Sequence, residues 1–297
     1  MRALRAPLLL ATLAFGCRPD LDEGLSRLDS PRVVAVVLDP PEAPPGATVR
    51  VSPVIASRDG IVEGTAVELA FCALPRALGE NGAAPASCLR DDGVLAGSTS
   101  SGEATLVVPR EACLTFGPEV TSADLRPRDA DVTGGHYQPL RVRGADTTTF
   151  ASLRLTCAPA RVPAEVAARL GRLARPNENP TGLRLEPLGD TLARRTLRRG
   201  ARVPLRASWE PTSAEAYVAV PPSGDDLVTR REALRVTWYA SAGTLSHERT
   251  GRASNDTAST SDNDLLAPEA PGVVHLVAVL RDDRGGVAVT TLSLGVE

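Results

Sequence analysis

The residues able to do chemistry are sparse in this chain of 297 residues. There are three histidines, His136, His247 and His275. None belongs to an HExxH pair, the spacing that turns two imidazoles onto one zinc ion, and no serine sits in a GxSxG elbow. His136 follows Gly134-Gly135 and is expected in a loop, His247 in a strand or at its edge, and His275 alternates with valines along a strand. All three read as structural. Acidic residues pair at Asp91-Asp92, Asp225-Asp226, Asp262-Asn263-Asp264 and Asp282-Asp283. Calcium takes about six to eight converging oxygens, and none of these clusters has the loop spacing that delivers them. Each sits beside Gly, Ser or Asn, where aspartate is expected for turn hydrogen bonding alone. Gly97-Ser98-Thr99-Ser100-Ser101-Gly102 reads as a flexible loop, since no lysine follows to make it a phosphate loop. The expectation is no catalytic residue, no metal and no cofactor.

Binding by exposed aromatic faces is equally poorly provided for. Aromatics are 3% of the chain, whereas single-strand nucleic-acid grooves stack successive bases on them. Trp209 is expected to cover a sandwich edge, and Tyr239 to point outward. The net charge is -3, which argues against an electrostatic nucleic-acid partner. All 33 basic residues are arginine, a coding bias rather than a chemical signal.

The first residues read MRALRAPLLLATLAFGC. Arg2 and Arg5 form a charged start, and Leu8 to Phe15 is apolar apart from Thr12. That run is too short to span a bilayer and right for a secretory signal. With Gly16 leading into Cys17, the segment resembles a bacterial lipoprotein signal, in which the cysteine becomes the lipidated first residue. The resemblance implies export and a membrane anchor at Cys17. With Arg18 after the cysteine, the expected location is the outer membrane or the periplasm/cell surface. The other reading is ordinary cleavage after Gly16, leaving Cys17 a plain thiol.

Five cysteines, Cys17, Cys72, Cys88, Cys113 and Cys157, are an odd number for an exported protein. Lipidation of Cys17 leaves four for two bridges. Three connectivities are open. Cys72–Cys88 with Cys113–Cys157 is favoured because the first closes a short Gly/Pro-rich excursion, worth about 3 kcal/mol in the chain-entropy description. No two cysteines lie within zinc-finger spacing, so zinc is not expected.

The elements that must carry these residues are mostly strands. Asp20 to Ser30 is a polar tether. Val33 to Leu38 is an unbroken apolar run and reads as a buried strand. Asp39-Pro40-Pro41-Glu42-Ala43-Pro44-Pro45-Gly46 can be neither helix nor inner strand. Val49, Val51 and Ile55 share one strand face, as do Val67, Leu69 and Phe71. Further strands are expected at Ala104–Val108, Leu140–Val142 and Ser152–Cys157. Many short alternating segments separated by turn residues predict a β-sandwich. One helix interrupts them, with Val162, Val166, Leu170 and Leu173 on one face and Pro163 at its first position. Pro176-Asn177-Glu178-Asn179-Pro180 then ends it and separates two cores.

The second half echoes the first: Leu185-Glu186-Pro187 and Gly200-Ala201-Arg202-Val203 restate Leu38-Asp39-Pro40 and Gly46-Ala47-Thr48-Val49. Leu234, Val236, Trp238 and Ala240 occupy one strand face, with Arg235, Thr237 and Tyr239 opposite. Val273–Leu280 and Val287–Val296 form a hairpin around Arg281-Asp282-Asp283-Arg284-Gly285-Gly286. This order of Trp-Tyr-Ala, a Gly-Thr-Leu turn, Ala-Pro, Pro-Gly, long strand and Arg-Asp-Asp-Arg-Gly-Gly resembles the immunoglobulin-like domains of exported lipoproteins from high-GC Gram-negative bacteria. The resemblance makes Trp238 the core tryptophan of a central strand.

The expected organisation is a signal peptide (1–16), a tether (17–30), a disulfide-containing β-sandwich (31–160), a helix and linker (161–180) and an immunoglobulin-like β-sandwich (181–297). The chain is thus all-β, two immunoglobulin-like β-sandwich domains joined by a short helix and a Pro/Asn linker. The function expected is that of a non-enzymatic, lipid-anchored envelope module for structure, adhesion or assembly. Its partners are then the membrane and an envelope protein, with no nucleic acid. The alternative is an exported binding protein taking a small ligand or glycan at loop ends or the domain junction. One outcome is testable on the cysteines alone. In the native protein Cys72, Cys88, Cys113 and Cys157 should resist alkylation until reductant is added, and labelling of any one of them without it breaks the pairing.

Overall fold

The computed structural model describes residues 24–77, 79–82, 84–118, 130–144, 147–189, 195–221 and 224–297. The signal segment and Cys17 lie outside the described residues.

In the first half the chain forms β1 (Arg32–Asp39), β2 (Glu42–Ala43), β3 (Thr48–Ser57), β4 (Gly60–Val62) and β5 (Val67–Phe71). It continues with β6 (Ser98–Ser100), β7 (Ala104–Val107), β8 (His136–Arg143) and β9 (Thr148–Leu155). One sheet has β1, β3 and β4 side by side, with β7 also on β3; the other runs β2-β9-β8-β5-β6. Alternation decides what lies between them. Val49, Val51 and Ile55 from β3 meet Val67, Leu69 and Phe71 from β5, all buried, with Leu140 and Val142 from β8. Bridges Cys72–Cys88 and Cys113–Cys157 join Cα atoms 5.2 and 5.7 Å apart. The residues expected as a flexible Gly/Ser loop instead contribute β6, and His136 opens β8 rather than lying in a loop. A short helix, α1 (Ala112–Phe116), carries Cys113 and gave no periodic signal because it is barely more than one turn.

The second half repeats the plan with β10 (Arg184–Pro187), β11 (Thr196–Leu197), β12 (Arg202–Ser208), β13 (Ala216–Ala219) and β14 (Val228–Arg231). Then follow β15 (Leu234–Ala240), β16 (Thr244–Leu245), β17 (Arg249–Arg252), β18 (Thr260–Leu266), β19 (Gly272–Asp282) and β20 (Val287–Val296). Its sheets run β10-β12-β18-β16 and β11-β20-β19-β15-β17, while β13 and β14 form a separate hairpin. The sequence echo has a structural counterpart. In each half the first strand pairs antiparallel with the third, β1 with β3 and β10 with β12. Between those two the chain crosses to the other sheet, where a two-residue strand runs parallel to the last strand, β2 to β9 and β11 to β20. The proline-rich turn after β1 serves this crossing, because proline cannot donate to an inner ladder.

Trp238 is buried in the second core at 1% exposure, with Val236, Leu265 and Leu276. Its indole N–H is satisfied: Nε1 donates to Thr250 Oγ1 at 2.8 Å, and that oxygen also accepts from Ser261 Oγ across the sandwich. Trp209 is buried in the same core. Tyr239 does not face solvent as expected. It is half-buried against the first sandwich, with the Arg32 guanidinium 5.2 Å from its ring centroid.

The two halves keep distinct core clusters, and a third cluster joins the sandwiches. Val34 and Ala35 of β1, Ala56 of β3, Val277 and Val279 of β19 and Val287 of β20 form a third buried cluster, across the boundary. Thus β1 and β19 are buried on both faces. Leu28, at the end of the expected tether, is fully buried in this cluster, and its N–H donates to Ala240 O of β15 at 3.0 Å. The second helix, α2 (Ala164–Leu173), starts one residue after Pro163 and buries only Val166; Leu173 is exposed. It bridges the halves without contributing a core. Among the described residues no helix is long and apolar enough to cross a membrane.

Trp238→Ala removes a fully buried indole and should cost about 3–5 kcal/mol. Because the third cluster couples the sandwiches, calorimetry should show both halves melting together at a lower temperature. A first-sandwich transition left at its wild-type position would mean that the shared face carries no coupling.

Candidate functional site

The sequence expectations name no constellation, and the structure disperses the residues they considered. Asp91 meets Arg141 and Arg143, and Asp226 meets Arg169. Asp262 receives two parallel hydrogen bonds from Arg206, Nε at 2.7 and Nη2 at 2.8 Å. His247 donates its backbone N–H to Asn263, and His275 pairs with Ser293 Oγ at 2.9 Å through Nδ1. Among the described residues no three His, Cys, Asp or Glu side chains are grouped to hold a metal. Two shallow clefts open in the first sandwich. One, of about 400 Å³, lies in the gap on β3 between β7 and β4 and is lined by Pro53, Ile61, Glu63 and Ser101. The other, of about 320 Å³, lies under the Cys72–Cys88 loop beside Leu89 and Phe150. Each has a single charged residue in its lining, Glu63 in the first and Glu80 in the second.

Polar groups converge instead at the boundary between the sandwiches, on Arg284. The β19–β20 turn is held by Asp282, whose Oδ1 accepts from the N–H groups of Arg284 and Gly286 at 2.8 Å each. That Asp turn aims the Arg284 side chain away from its own sheet and into the boundary, where the residue is 2% exposed. Nη2 donates to Glu42 Oε2 of β2 at 3.1 Å and to Arg175 O of the linker at 2.9 Å. Nη1 faces Glu232 Oε1 at 3.3 Å and Glu215 Oε2 at 3.4 Å, on the strand ends flanking the β13–β14 hairpin. The Tyr217 ring of β13 covers the guanidinium, 4.7 Å from its centroid.

Glu42 links this centre to a second arginine. Its Oε2 lies 3.1 Å from Arg154 Nε and accepts the Asn177 N–H at 2.9 Å. Arg154 Nη1 reaches Thr133 Oγ1 at 2.6 Å and Tyr137 OH at 2.9 Å. Burial pushes the Tyr137 hydroxyl up to about 12, so it stays protonated. Burial likewise raises Glu215 and Asp282, and pushes Glu232 up to about 8.

The linker is built into this joint. Asn179 Nδ2 donates to Leu38 O at 2.8 Å, and Asn179 Oδ1 accepts from Val287 N at 2.8 Å, so one side chain ties both sandwiches. Gly286 is required by close approach: a Cβ there would lie 2.1 Å from Asp282 Oδ2 and 2.8 Å from Glu178 O. The β13–β14 hairpin reaches across as well. Arg230 donates to Val132 O, Gly134 packs on Ala219, and Asp226 beyond β13 holds Arg169 of α2 at 2.6 Å.

None of Glu42, Arg154, Glu232 or Arg284 was singled out from sequence. Glu42 opens β2, Arg154 is next to last in β9, Glu232 follows β14 and Arg284 stands in the β19–β20 turn, places where a charged residue ordinarily faces water. The available signal was the acidic Glu215 and Glu232 bracketing an extra hairpin, but only their meeting with Arg284 gives it meaning.

No family model matches the chain, and no curated protein matches its sequence. Among solved structures it is similar to the D00-D0 domain of intimin, at TM-score 0.26 and 8% identity over 90% of this chain and 98% of that one. It is similar to invasin, a bacterial integrin-binding protein, at 0.22 and 10%, over 90% of this chain and 38% of that one. Activated alpha-2-macroglobulin of Escherichia coli matches at 0.24 and 12%, over 92% of this chain and 22% of that one. At these scores the likeness adds nothing to what the sheets themselves show.

Removing one partner of a buried ion cluster strands the others. Arg284→Ala should therefore cost about 3–5 kcal/mol, whereas Arg206→Ala at a solvent-screened pair should cost far less. Chemical denaturation of the two variants measures the contrast, and equal losses would make the joint no different from a surface pair.

Proposed function

We propose that the protein is a non-enzymatic module of the cell envelope, lipid-anchored through Cys17, in which two immunoglobulin-like sandwiches act as one stiff adhesion or assembly piece. The observation that carries this reading is the joint: the charged ends of its side chains pair with one another and with the backbone, and the atoms left without a hydrogen bond there, Arg284 Nε, Arg154 Nε and Asn177 Oδ1, are buried rather than open to a ligand. A ligand site presents unsatisfied groups to an open pocket. Here Arg284, Glu42, Glu232 and Arg154 face one another, and the apolar cluster beside them is closed. An arrangement of this kind fixes orientation, which a spacer or adhesion module needs. Two disulfides fit an oxidising compartment outside the cytoplasm.

The partner is an envelope protein meeting the sandwiches at a sheet end. Among the described residues β6, β10 and β17 end their sheets and keep one edge without a ladder partner in the sheet order. Such edges accept an added strand from another chain. The charge pattern adds no nucleic-acid partner to this reading.

Anchoring is tested by detergent-phase partitioning of the wild type and Cys17→Ala expressed in a Gram-negative host. Two acyl chains hold a protein to the bilayer at about 0.8 kcal/mol per buried CH₂. The wild type should enter the detergent phase and the variant the aqueous phase. Identical partitioning of the two into the aqueous phase would overturn the anchor.

A further inference from the structure

The joint holds more carboxylates than guanidiniums. Three carboxyl groups, from Glu42, Glu215 and Glu232, stand within 3.4 Å of the single Arg284 guanidinium. The Asp282 carboxylate, committed to its own turn, lies beside them. Arg154 offers one more cation, shared with Glu42. The side chains of Arg284 and Glu232 are 3% and 0% exposed, while Glu42 and Glu215 keep 11% and 26%, so water screens the excess least at Glu232. Burial and like charge both favour the neutral form of a carboxyl, so the surplus is relieved when the most buried one keeps its proton.

We propose that docking of the two sandwiches binds one proton, held on the Glu232 carboxyl, and that the joint is therefore a latch that closes in neutral and acidic media and loosens in alkali. Glu232 is the member of the cluster fully shut off from water. Its Oε2 accepts the Glu215 N–H at 2.9 Å and its Oε1 accepts from Arg284 Nη1 at 3.3 Å, so the proton takes a remaining lone-pair position of the carboxyl. The groups facing it come from every neighbouring element. Arg284, Asp282 and Asp283 lie on the β19–β20 turn, and Glu215 and Tyr217 precede or begin β13. Glu42 and Arg154 come from the first sandwich through Arg284, and Glu178 from the linker donates its N–H to Glu215.

Undocking changes this balance in one direction. It withdraws Glu42 from Arg284, and it admits water to the cluster. Both changes favour the ionised form of Glu232, so the open state releases the proton. The sign follows from linkage. The docked group keeps its proton up to about pH 8, against an ordinary value of 4.5. Between those limits the docked state binds the extra proton, so its stability falls as pH rises through that window and levels off above it.

The test is small-angle X-ray scattering of the full chain from about pH 5 to about pH 10, with wild type and Glu232→Gln, which mimics the protonated carboxyl. The wild type should be compact in the acidic half of the range and expand toward its alkaline end, while the variant stays compact throughout. The pH slopes of their unfolding free energies should differ by about one bound proton between the two limits. Superimposable scattering at every pH, whether both chains open or both stay closed, overturns the latch. If the variant does not fold, infrared spectroscopy of the wild type decides. A protonated buried-carboxyl band near neutral pH that vanishes on alkaline titration supports the proposal, and its absence overturns it.

Discussion

The constraint on which this molecule turns is that β1 and β19 are apolar on both faces. A strand of an isolated antiparallel sandwich needs one buried face only and sends the other to water. Here Val36 and Leu38 of β1 enter the first core while Val34 and Ala35 leave it, and Leu276, Ala278 and Leu280 of β19 enter the second core while Val277 and Val279 leave it. The outward residues can be buried only against each other. The two sandwiches thus stack sheet on sheet, and Leu28 closes the margin of that contact from the N-terminal side.

Apolar contact of this kind fixes proximity but tolerates sliding, because it is non-directional. Direction comes from the polar joint at its edge. Arg284 presents its planar fork to carboxylates on three separate segments and to one backbone carbonyl, and so accepts a single relative placement of them. Asn179 does the same between Leu38 and Val287. The β13–β14 hairpin, inserted between β12 and β15, belongs to neither sheet of its own sandwich. Its place in the fold is explained by what it holds: Glu215 and Glu232 at its base, and contacts to Val132 and α2 along its length. Each device is modest by itself, and together they make one body from two folds that could have been independently hinged.

Composition, alternation and turn residues determined a good deal here. Period-two patterning in 49–55, 67–71 and 234–240 specified inward faces correctly, because a strand has only two faces and one of them carried Val, Leu, Ile or Trp. The echo between 38–51 and 185–205 pointed to a repeated plan, and both copies make the same crossing between sheets. The unbroken run at 33–38 announced a buried strand, and 273–280 announced a strand of the last hairpin. What lay on their second sides was not legible, since a run of valines is equally satisfied by any apolar partner. Tertiary structure alone decided that Tyr239 and Leu28 are packed rather than solvated, that Asn177 and Asn179 form a wedge rather than a free linker, and that Glu42, Glu215, Glu232 and Arg284 meet. Those four carboxylate and guanidinium groups lie as much as 242 positions apart in the chain. A charge in a turn has no periodicity, and its partner is set by how two complete domains dock rather than by any local preference of the residues around it.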